Sequence, residues 1–336
     1  MAPRQHLLWR VCPGPQEDEL LSSWLHRLAT ANGLADHTFC RYVWDMTPVW
    51  NRDIDRSVRP GLLIELSDWT AVSPERIKET TLWSLEGKLT THIRDCAISP
   101  WVLPLGIYHR VRRRAGQQFC PICMGIEPCY LRKTWRLAWA VACTKHQTWL
   151  LDQCLRCGCP LMFHRTSIRQ AARALCACCR GNLASLETKP ADAEVLAFQR
   201  QIEDGLLAGD VPVAGRVVPS LDFFRGLRQF ARCVYQTRGR GLVDAFDDIA
   251  KPSIPKVRFE HWGAAQRQVL MLVLARCMQS WPHKMRDLMA SVRLNPSQLT
   301  TDLRERPADW VLDDLGIRRP LPRSRNSLAF RWYGAN

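Results

Sequence analysis

Four pairs of metal-binding side chains within one 60-residue stretch constrain this chain more than any other feature. The pairs are Cys120-Pro-Ile-Cys123, Cys143-Thr-Lys-His146, Cys154-Leu-Arg-Cys157 and Cys176-Ala-Cys-Cys179. A two-residue gap lets a tight turn direct both donor atoms toward one tetrahedral ion, and two such turns complete a four-ligand zinc site. The spacing therefore predicts two structural Zn²⁺ ions per chain, with no coordination position left open for chemistry.

The order of these pairs allows two ways of building the sites. In a sequential arrangement the first two pairs hold one ion and the last two hold the other, whereas a cross-braced arrangement joins the first pair to the third. We favour the sequential arrangement, because neighbouring pairs close shorter loops. Cys159, Cys178 and His164 are spare candidates that could replace a named ligand, and Cys178 is the most ambiguous because it precedes Cys179 directly.

The 15 cysteines do not indicate a disulfide-rich secreted protein, because they cluster at metal-ligand spacing. The apolar run Leu7-Leu8-Trp9 is too short for a secretory signal, and the longest apolar run, Val269 to Ala275, is too short to cross a bilayer. We therefore expect a cytoplasmic protein that acts at the nucleoid and has no membrane partner. Its 336 residues should form two or three domains.

Positive charge is concentrated in the middle and at the end of the chain. The net charge of +15 divides into −2 for residues 1–100, +11 for 101–190 and +6 for 191–336. A polyanion such as DNA would meet the last two regions first. The candidate nucleic-acid contacts are Arg110, Arg112, Arg113, Arg114, Arg132, Lys133, Arg136, Arg318, Arg319, Arg323 and Arg325. For the cations near Trp135 and Trp139 the alternative is a zinc-supported core, and for the run from 109 to 114 it is a solvated linker.

Helical periodicity predicts a mainly α fold. An amphipathic helix is expected from Asp18 to Asn32, ending at Gly33, and a helix-turn-helix follows, whose second helix is capped by Ser73 with Pro74 in its first turn. That second helix exposes two acids and two bases, so we expect it to contact protein rather than DNA. Asn295-Pro296-Ser297-Gln298 resembles another capped helix start, which makes a second helix-turn-helix plausible near the end of the chain.

These features divide the chain into five parts. We expect an N-terminal helix-turn-helix domain at 1–100, a basic linker at 101–118 and a double zinc-binding domain at 119–188. A helical C-terminal domain at 189–316 and a basic flexible tail at 317–336 complete the prediction. The sequence contains no phosphate-binding loop, nucleophile elbow or His-Glu-x-x-His motif, and adjacent acids such as Asp247-Asp248 are usually solvated. We therefore expect no catalytic residues and no enzymatic activity.

The order of parts resembles the TniQ family of transposon target-selection proteins, which is related to TnsD. The resemblance rests on Glu19-Leu-Leu-Ser-Ser-Trp-Leu-His-Arg-Leu-Ala-Thr-Ala-Asn-Gly33, Thr81-Leu82, Cys120-Pro-x-Cys123, Trp135, Cys143-x-x-His146, Leu150 and Cys154-x-x-Cys157. It covers about the first 180 residues, and the C-terminal helices are similar only in general character. Zinc ligation is implied at Cys120, Cys123, Cys143, His146, Cys154, Cys157, Cys176 and Cys179.

The resemblance implies a non-catalytic accessory protein that marks a DNA target and helps to load a AAA+ ATPase, which then brings the transposase. Members do so either by binding DNA or by sitting on a guide-RNA effector complex. A second copy of the chain is a further candidate partner. The chain is shorter than the family's sequence-specific DNA readers, which argues against autonomous site recognition. The alternative is a zinc-containing helix-turn-helix transcription regulator that reads its operator as a dimer.

Overall fold

The computed structural model describes residues 11–44, 49–108, 111–166, 174–235, 241–253, 255–300 and 307–318. Over these ranges the protein is helix-rich, as the periodicity predicted. Its α-helices are Leu21–Ala31, Asp36–Trp44, Ile54–Ser57, Pro60–Thr70, Pro74–Glu79, Pro121–Met124, Ala193–Ala208, Ser220–Val234, Ala264–Met278, His283–Ser291, Pro296–Thr300 and Asp309–Leu315.

The first predicted helix is confirmed as Leu21–Ala31, and Gly33 follows it with a φ of 67°. Its apolar stripe, which includes Trp24 and Leu28, lies in a hydrophobic cluster formed by the N-terminal helices. Helices Pro60–Thr70 and Pro74–Glu79 are joined by a short turn, and the Ser73 hydroxyl accepts a hydrogen bond from the Arg76 amide at 3.2 Å. The predicted cap is therefore present, while a helix-turn-helix function for this pair stays a prediction.

Within the described ranges there are three short antiparallel ribbons, which the sequence analysis did not predict. They pair Ile107–Tyr108 with Val111–Arg112, Ala142–Cys143 with Thr148–Trp149, and Asp210–Val213 with Arg216–Pro219. Their registers place Cys143 opposite Thr148 and Val211 opposite Val218. The second ribbon holds a predicted metal-ligand pair at its turn, so it positions part of the candidate site.

The central region and the C-terminal helices share one hydrophobic cluster. Trp139 stacks on Phe224 with ring centroids 5.8 Å apart, and the indole of Trp101 donates to the Phe224 carbonyl at 2.9 Å. The buried Gln199 amide bonds with the backbone of residues 141 and 142. The segment predicted to be a linker therefore begins inside the core, with Trp101 fully buried, and the domain limits remain predictions.

The end of the described chain contains the second capped helix start. The Asn295 side chain accepts from the Ser297 amide, and the Gln298 side chain accepts from the Asn295 amide, both at 2.9 Å. This reciprocal pattern satisfies backbone donors at the start of helix Pro296–Thr300. Within the described ranges, no helix combines the length and apolar character needed to cross a membrane.

Candidate metal centres and the surrounding charges

The four predicted pairs adopt one common backbone turn. In each pair the amide four residues after the first cysteine donates to that cysteine's carbonyl, at 3.0 Å for Cys120, 2.7 Å for Cys143, 2.8 Å for Cys154 and 3.0 Å for Cys176. The donating residue has a positive φ in three of the four turns, at Gln147, Gly158 and Arg180. Because this turn folds the chain back on itself, it brings the two donor atoms of a pair to the same side.

The first centre combines the pairs Cys120/Cys123 and Cys143/His146, whose donor atoms lie within 4.8 Å of one another. His146 Nδ1 is 3.5 Å from Cys120 Sγ, 3.2 Å from Cys123 Sγ and 3.5 Å from Cys143 Sγ. Cys123 Sγ and Cys143 Sγ are 3.8 Å apart. Helix Pro121–Met124 carries Cys123, and the ribbon turn carries Cys143 and His146.

The second centre contains Cys154, Cys157, Cys176 and Cys179, which also lie within 4.8 Å of one another. The Sγ atoms of Cys154 and Cys179 are 3.7 Å apart, and those of Cys157 and Cys176 are 3.7 Å apart. Two of its cysteines are buried and two are exposed, whereas the first centre has two buried and two half-buried ligands.

These separations fit the edges of a tetrahedron around a metal ion. A Zn–S bond of about 2.3 Å gives sulfur atoms about 3.8 Å apart, and a Zn–N bond of about 2.0 Å gives a sulfur–nitrogen edge of about 3.5 Å. The observed sulfur–sulfur separations of 3.7 and 3.8 Å match the first value, and the contacts to His146 are close to the second. The two groups could therefore each hold one metal ion, and their donor chemistry is compatible with zinc.

The structure joins the pairs in chain order, as the sequential arrangement predicted, and the cross-braced grouping is not what it contains. The spare candidates have other contacts. Cys159 and Cys178 form a disulfide with each other, and His164 stacks on Trp50 with ring centroids 4.8 Å apart. Cys178 is therefore not among the four ligands of the second centre, although Cys159, Cys176 and Cys178 also lie within 4.8 Å of one another. The Thr148 hydroxyl, 3.9 Å from Cys120 Sγ, is a contact that the cysteine spacing did not indicate.

The prediction that Arg136 contacts nucleic acid is wrong. Its side chain is completely buried, and its guanidinium donates to the carboxylates of Asp53 and Asp55 and to the Leu103 carbonyl. A phosphate has no access to this group. The alternation of basic and aromatic side chains near Trp135 therefore partly reflects burial in the protein interior. There a buried charge needs an opposite charge beside it, as Arg136 has.

The two acids beside Arg136 respond differently to burial. For Asp53, burial raises the pKa, but the adjacent Arg136 outweighs this effect and the pKa is lowered. For Asp55, burial raises the pKa to about 6, despite the Arg136 charge. The pair therefore provides one firmly ionised carboxylate and one that takes a proton more readily.

Other predicted phosphate contacts near the first centre are also engaged within the protein. The Lys133 ammonium donates to the Glu79 carbonyl at 2.6 Å and to the Ser84 hydroxyl at 2.8 Å. The Arg132 guanidinium lies over the rings of Tyr130 and Trp135. Both side chains are half-buried, so they offer less to a phosphate than the sequence predicted.

The basic run before the first centre is mixed in exposure. Arg112 donates to the Leu161 carbonyl, and burial lowers its pKa to about 10. Arg113 and Arg114 are exposed, and so is Arg318 near the end of the described chain. The remaining predicted contacts, Arg110, Arg319, Arg323 and Arg325, lie outside the described residues. Of the predicted phosphate contacts, Arg113, Arg114 and Arg318 are thus the described residues that are exposed.

The fold and the two ligand groups define a helix-rich protein with two candidate metal centres of structural type. Residues 10–150, fewer than half of the 336 residues, match the model of the TniQ family. The TniQ family implies a transposition-associated accessory function. The match includes the whole first centre and ends before Cys154, so the second centre and the C-terminal helices lie beyond it. No curated protein matches the chain.

Proposed function

We propose that this chain is a non-catalytic transposition adaptor, which marks a DNA target and recruits a AAA+ ATPase that in turn brings the transposase. The observation that carries the proposal is the pair of four-ligand groups at tetrahedral spacing in a chain whose residues 10–150 match the TniQ family. A metal ion with four protein ligands has no open position for a substrate. Its contribution is then to hold the shape of a binding platform.

We assign one zinc ion to Cys120, Cys123, Cys143 and His146, and a second to Cys154, Cys157, Cys176 and Cys179. Three thiolates with one imidazole, or four thiolates, suit Zn²⁺ better than they suit Mg²⁺ or Ca²⁺, which prefer oxygen ligands. Neighbouring segments depend on these centres. For example, Ala184 lies against Gly125, which follows the Cys120/Cys123 turn. Loss of either ion would therefore disturb the contact between these two residues.

The proposed ATPase contact lies on the N-terminal helices. Arg76 is tied to Glu79 and to the carbonyls of Pro15 and Gln16, which leaves Glu75 and Lys78 exposed with a net charge of zero. Such a surface has no excess positive charge to attract DNA. Tyr42 and Ile64 on nearby helices are exposed large apolar side chains, 62% and 56% accessible, and we assign them to this contact.

Binding of the chain to a AAA+ transposition ATPase would test this assignment. We expect Ile64→Asp to weaken the association by about tenfold, which corresponds to about 1.4 kcal/mol. Leu207→Asp is a matched control, because Leu207 is also an exposed apolar residue on a helix and is 75% accessible. Complete lack of association by the intact, zinc-loaded chain would contradict the adaptor proposal. Equal effects of the two substitutions would reject only the assigned surface.

The second candidate function is a zinc-containing transcription regulator. The helix pair His283–Ser291 and Pro296–Thr300 favours it, since Arg286 lies on the first helix and Arg293 lies between the two. Such a regulator, bound as a dimer, would protect a discrete palindromic operator without any partner protein. Footprinting of the purified chain separates the two functions, because the adaptor should protect no discrete palindromic site on its own. A guide-RNA effector complex, if it is the partner that marks the target, would be recognised by co-purification with RNA.

A further inference from the structure

A cavity of about 530 Å³ lies where the ends of two C-terminal helices meet. Helix His283–Ser291 and the turn after it form one side, and the end of helix Asp309–Leu315 with the residues that follow it forms the other. The Arg286 guanidinium donates to the Asp314 carbonyl, so a direct contact joins the two sides. The volume lies within the range of about 300 to 1,000 Å³ that is usual for ligand pockets. The cavity is therefore large enough to receive several side chains of a binding partner.

The backbone shapes both sides of the cavity in the same way. Leu294 and Ile317 each donate their amide to the carbonyl five residues earlier, at 2.8 Å. The residue before each of them is left-handed, with a φ of 55° at Arg293 and 67° at Gly316. This pattern is the Schellman motif, which turns the chain back over the end of a helix. Two copies of one capping motif thus place Leu294 and Ile317 in the lining.

The floor of the cavity is apolar. Met289 and Leu294 are buried, and Leu315 and Ile317 are half-buried, and all four side chains line the cavity. Contact of the last two with water is unfavourable, so a partner that covers them with its own apolar side chains gains free energy.

The rim of the cavity is positively charged. Arg286 and Arg293 are exposed, and the described residues that line the cavity include no acid. Asp314 is close in the chain, but its carboxylate is turned away and accepts from Arg216 Nη2 and from the Trp281 indole, both at 2.6 Å. The rim therefore complements a carboxylate, which a guanidinium group can bind by paired hydrogen bonds.

We infer that this cavity is a docking site for an acidic amphipathic segment of a partner protein. The apolar side chains of that segment would enter the floor, and its carboxylates would pair with Arg286 and Arg293. Apolar grooves receive amphipathic helices in this way, and arginine clusters receive acidic motifs. Charge selects this occupant, because two arginines repel a basic segment. The phosphates of DNA would meet the same arginines but gain nothing from an apolar floor.

The site is separate from the surface assigned to the ATPase on the N-terminal helices. It adds a second protein contact to the proposed function and does not rest on it. The two contacts can therefore be tested independently in one set of variants.

The test measures binding of fluorescein-labelled peptides to the full, zinc-loaded chain by fluorescence anisotropy. The acidic probe is a repeated Glu-Leu-Leu-Glu sequence, and the comparison probes carry lysine in place of glutamate or alanine in place of leucine. We expect the acidic, leucine-containing probe to bind most tightly. Arg286→Gln with Arg293→Gln should weaken its binding by about tenfold, because two guanidinium–carboxylate pairs are lost. Association with the ATPase should stay unchanged.

Further variants separate loss of the site from loss of the fold. Ala290→Glu places a carboxylate in the exposed part of the lining and keeps both arginines, and it should weaken the acidic probe by a similar factor. Lys284→Gln with Lys189→Gln is the matched control, since both lysines are exposed and outside the lining, and Lys284 shares a helix with Arg286. The control should leave the dissociation constant unchanged. Zinc content and circular dichroism would show that each variant is folded.

Each contrary result overturns a defined part of the inference. If the wild type does not bind the acidic probe, or binds the lysine probe as tightly, an acidic occupant is excluded. If the alanine probe binds equally well, the apolar floor takes no part. If the cavity variants and the control behave alike, the probe sits elsewhere and the cavity is rejected. If the Arg286/Arg293 variant loses affinity for duplex DNA but not for the probe, these arginines face DNA. Lack of ATPase association in the wild type would contradict the adaptor proposal alone.

Discussion

Arg136 donates two hydrogen bonds to the carboxylate of Asp53, from Nη1 to Oδ1 at 3.1 Å and from Nη2 to Oδ2 at 2.6 Å. The residues are 83 positions apart, and both are buried. The first belongs to the region of the metal centres and the second to the N-terminal helices. This paired contact therefore links the predicted protein-binding surface to the metal-supported part of the chain.

Asp53→Asn should destabilise the fold far more than Asp55→Asn. Asparagine resembles the neutral form of aspartate, and Asp53 has a lowered pKa whereas burial raises that of Asp55 to about 6. Removing a charge partner of a buried arginine costs about 3 kcal/mol. We expect the free energy of unfolding to fall by about 3 kcal/mol for Asp53→Asn and by about 1 kcal/mol or less for Asp55→Asn, as measured by urea unfolding. Equal losses would contradict the unequal roles of the two acids.

Asp55 should also make the stability of the fold depend on pH. A carboxylate whose pKa is higher in the folded state stabilises that state most at low pH, and this contribution is lost as pH rises through the folded pKa. For Asp55 the loss falls between its ordinary value of 3.8 and about 6. The free energy of unfolding should therefore decline over that range by more in the wild type than in Asp55→Asn. Parallel pH profiles would exclude this role for Asp55.

Zinc content should distinguish two adjacent cysteines. Cys179→Ser should lower the bound zinc from two ions toward one and loosen the region around the second centre, because structural metal binding contributes to folding. Cys178→Ser is the matched control, since Cys178 is bonded to Cys159 and should leave the stoichiometry at two. Elemental analysis of the purified variants measures both. Loss of zinc from the Cys178 variant alone would exchange the roles of the two residues.

The first centre allows an independent measurement. Cys123→Ser should also reduce zinc from two ions toward one, whereas Cys96→Ser should retain both, because Cys96 is exposed and outside either group. Combining the substitutions at Cys123 and Cys179 should remove both ions. A residual full complement of zinc in the double variant would refute the ligand assignment.

Two helical glycines should respond in opposite ways to alanine. A Cβ at Gly226 would lie 2.5 Å from the Trp310 ring, which is itself stacked on Phe223. Overpacking of this kind costs about 1 to 3 kcal/mol. Gly61 has no atom within 4 Å of its Cβ position, so Gly61→Ala should gain about 0.5 kcal/mol from helix propensity. Thermal unfolding would measure both changes, and a stabilised Gly226→Ala would show that the ring can move.

Local chemistry accounts for what could be predicted from the sequence. The cysteine pairs were recognisable because two intervening residues suffice for the turn, and the caps at Ser73 and Asn295 depend only on neighbouring residues. The grouping of the pairs in chain order followed from loop length. Features with such short sequence separation leave a pattern that can be read directly.

Burial of charge could not be predicted in the same way. Arg136 and Arg114 both occur in basic surroundings, yet one is completely enclosed by acids from the N-terminal helices and the other is exposed. The acids that enclose Arg136 lie 81 and 83 residues away, and no periodicity connects them to it. The contact between Arg114 and His261 was missed for the same reason, because the basic run and the turn at 260–263 meet only in three dimensions.

Gln199, from helix Ala193–Ala208, forms hydrogen bonds with the main chain just before Cys143 through both its side-chain oxygen and its side-chain nitrogen. A fragment cut after residue 190 would keep all eight ligands but lose these hydrogen bonds. It would also lose Phe224, whose ring stacks on Trp139. Shortened versions of the protein would thus hold the metal ions on a scaffold that lacks its packing partner on one side. Their stability and binding would understate those of the whole chain.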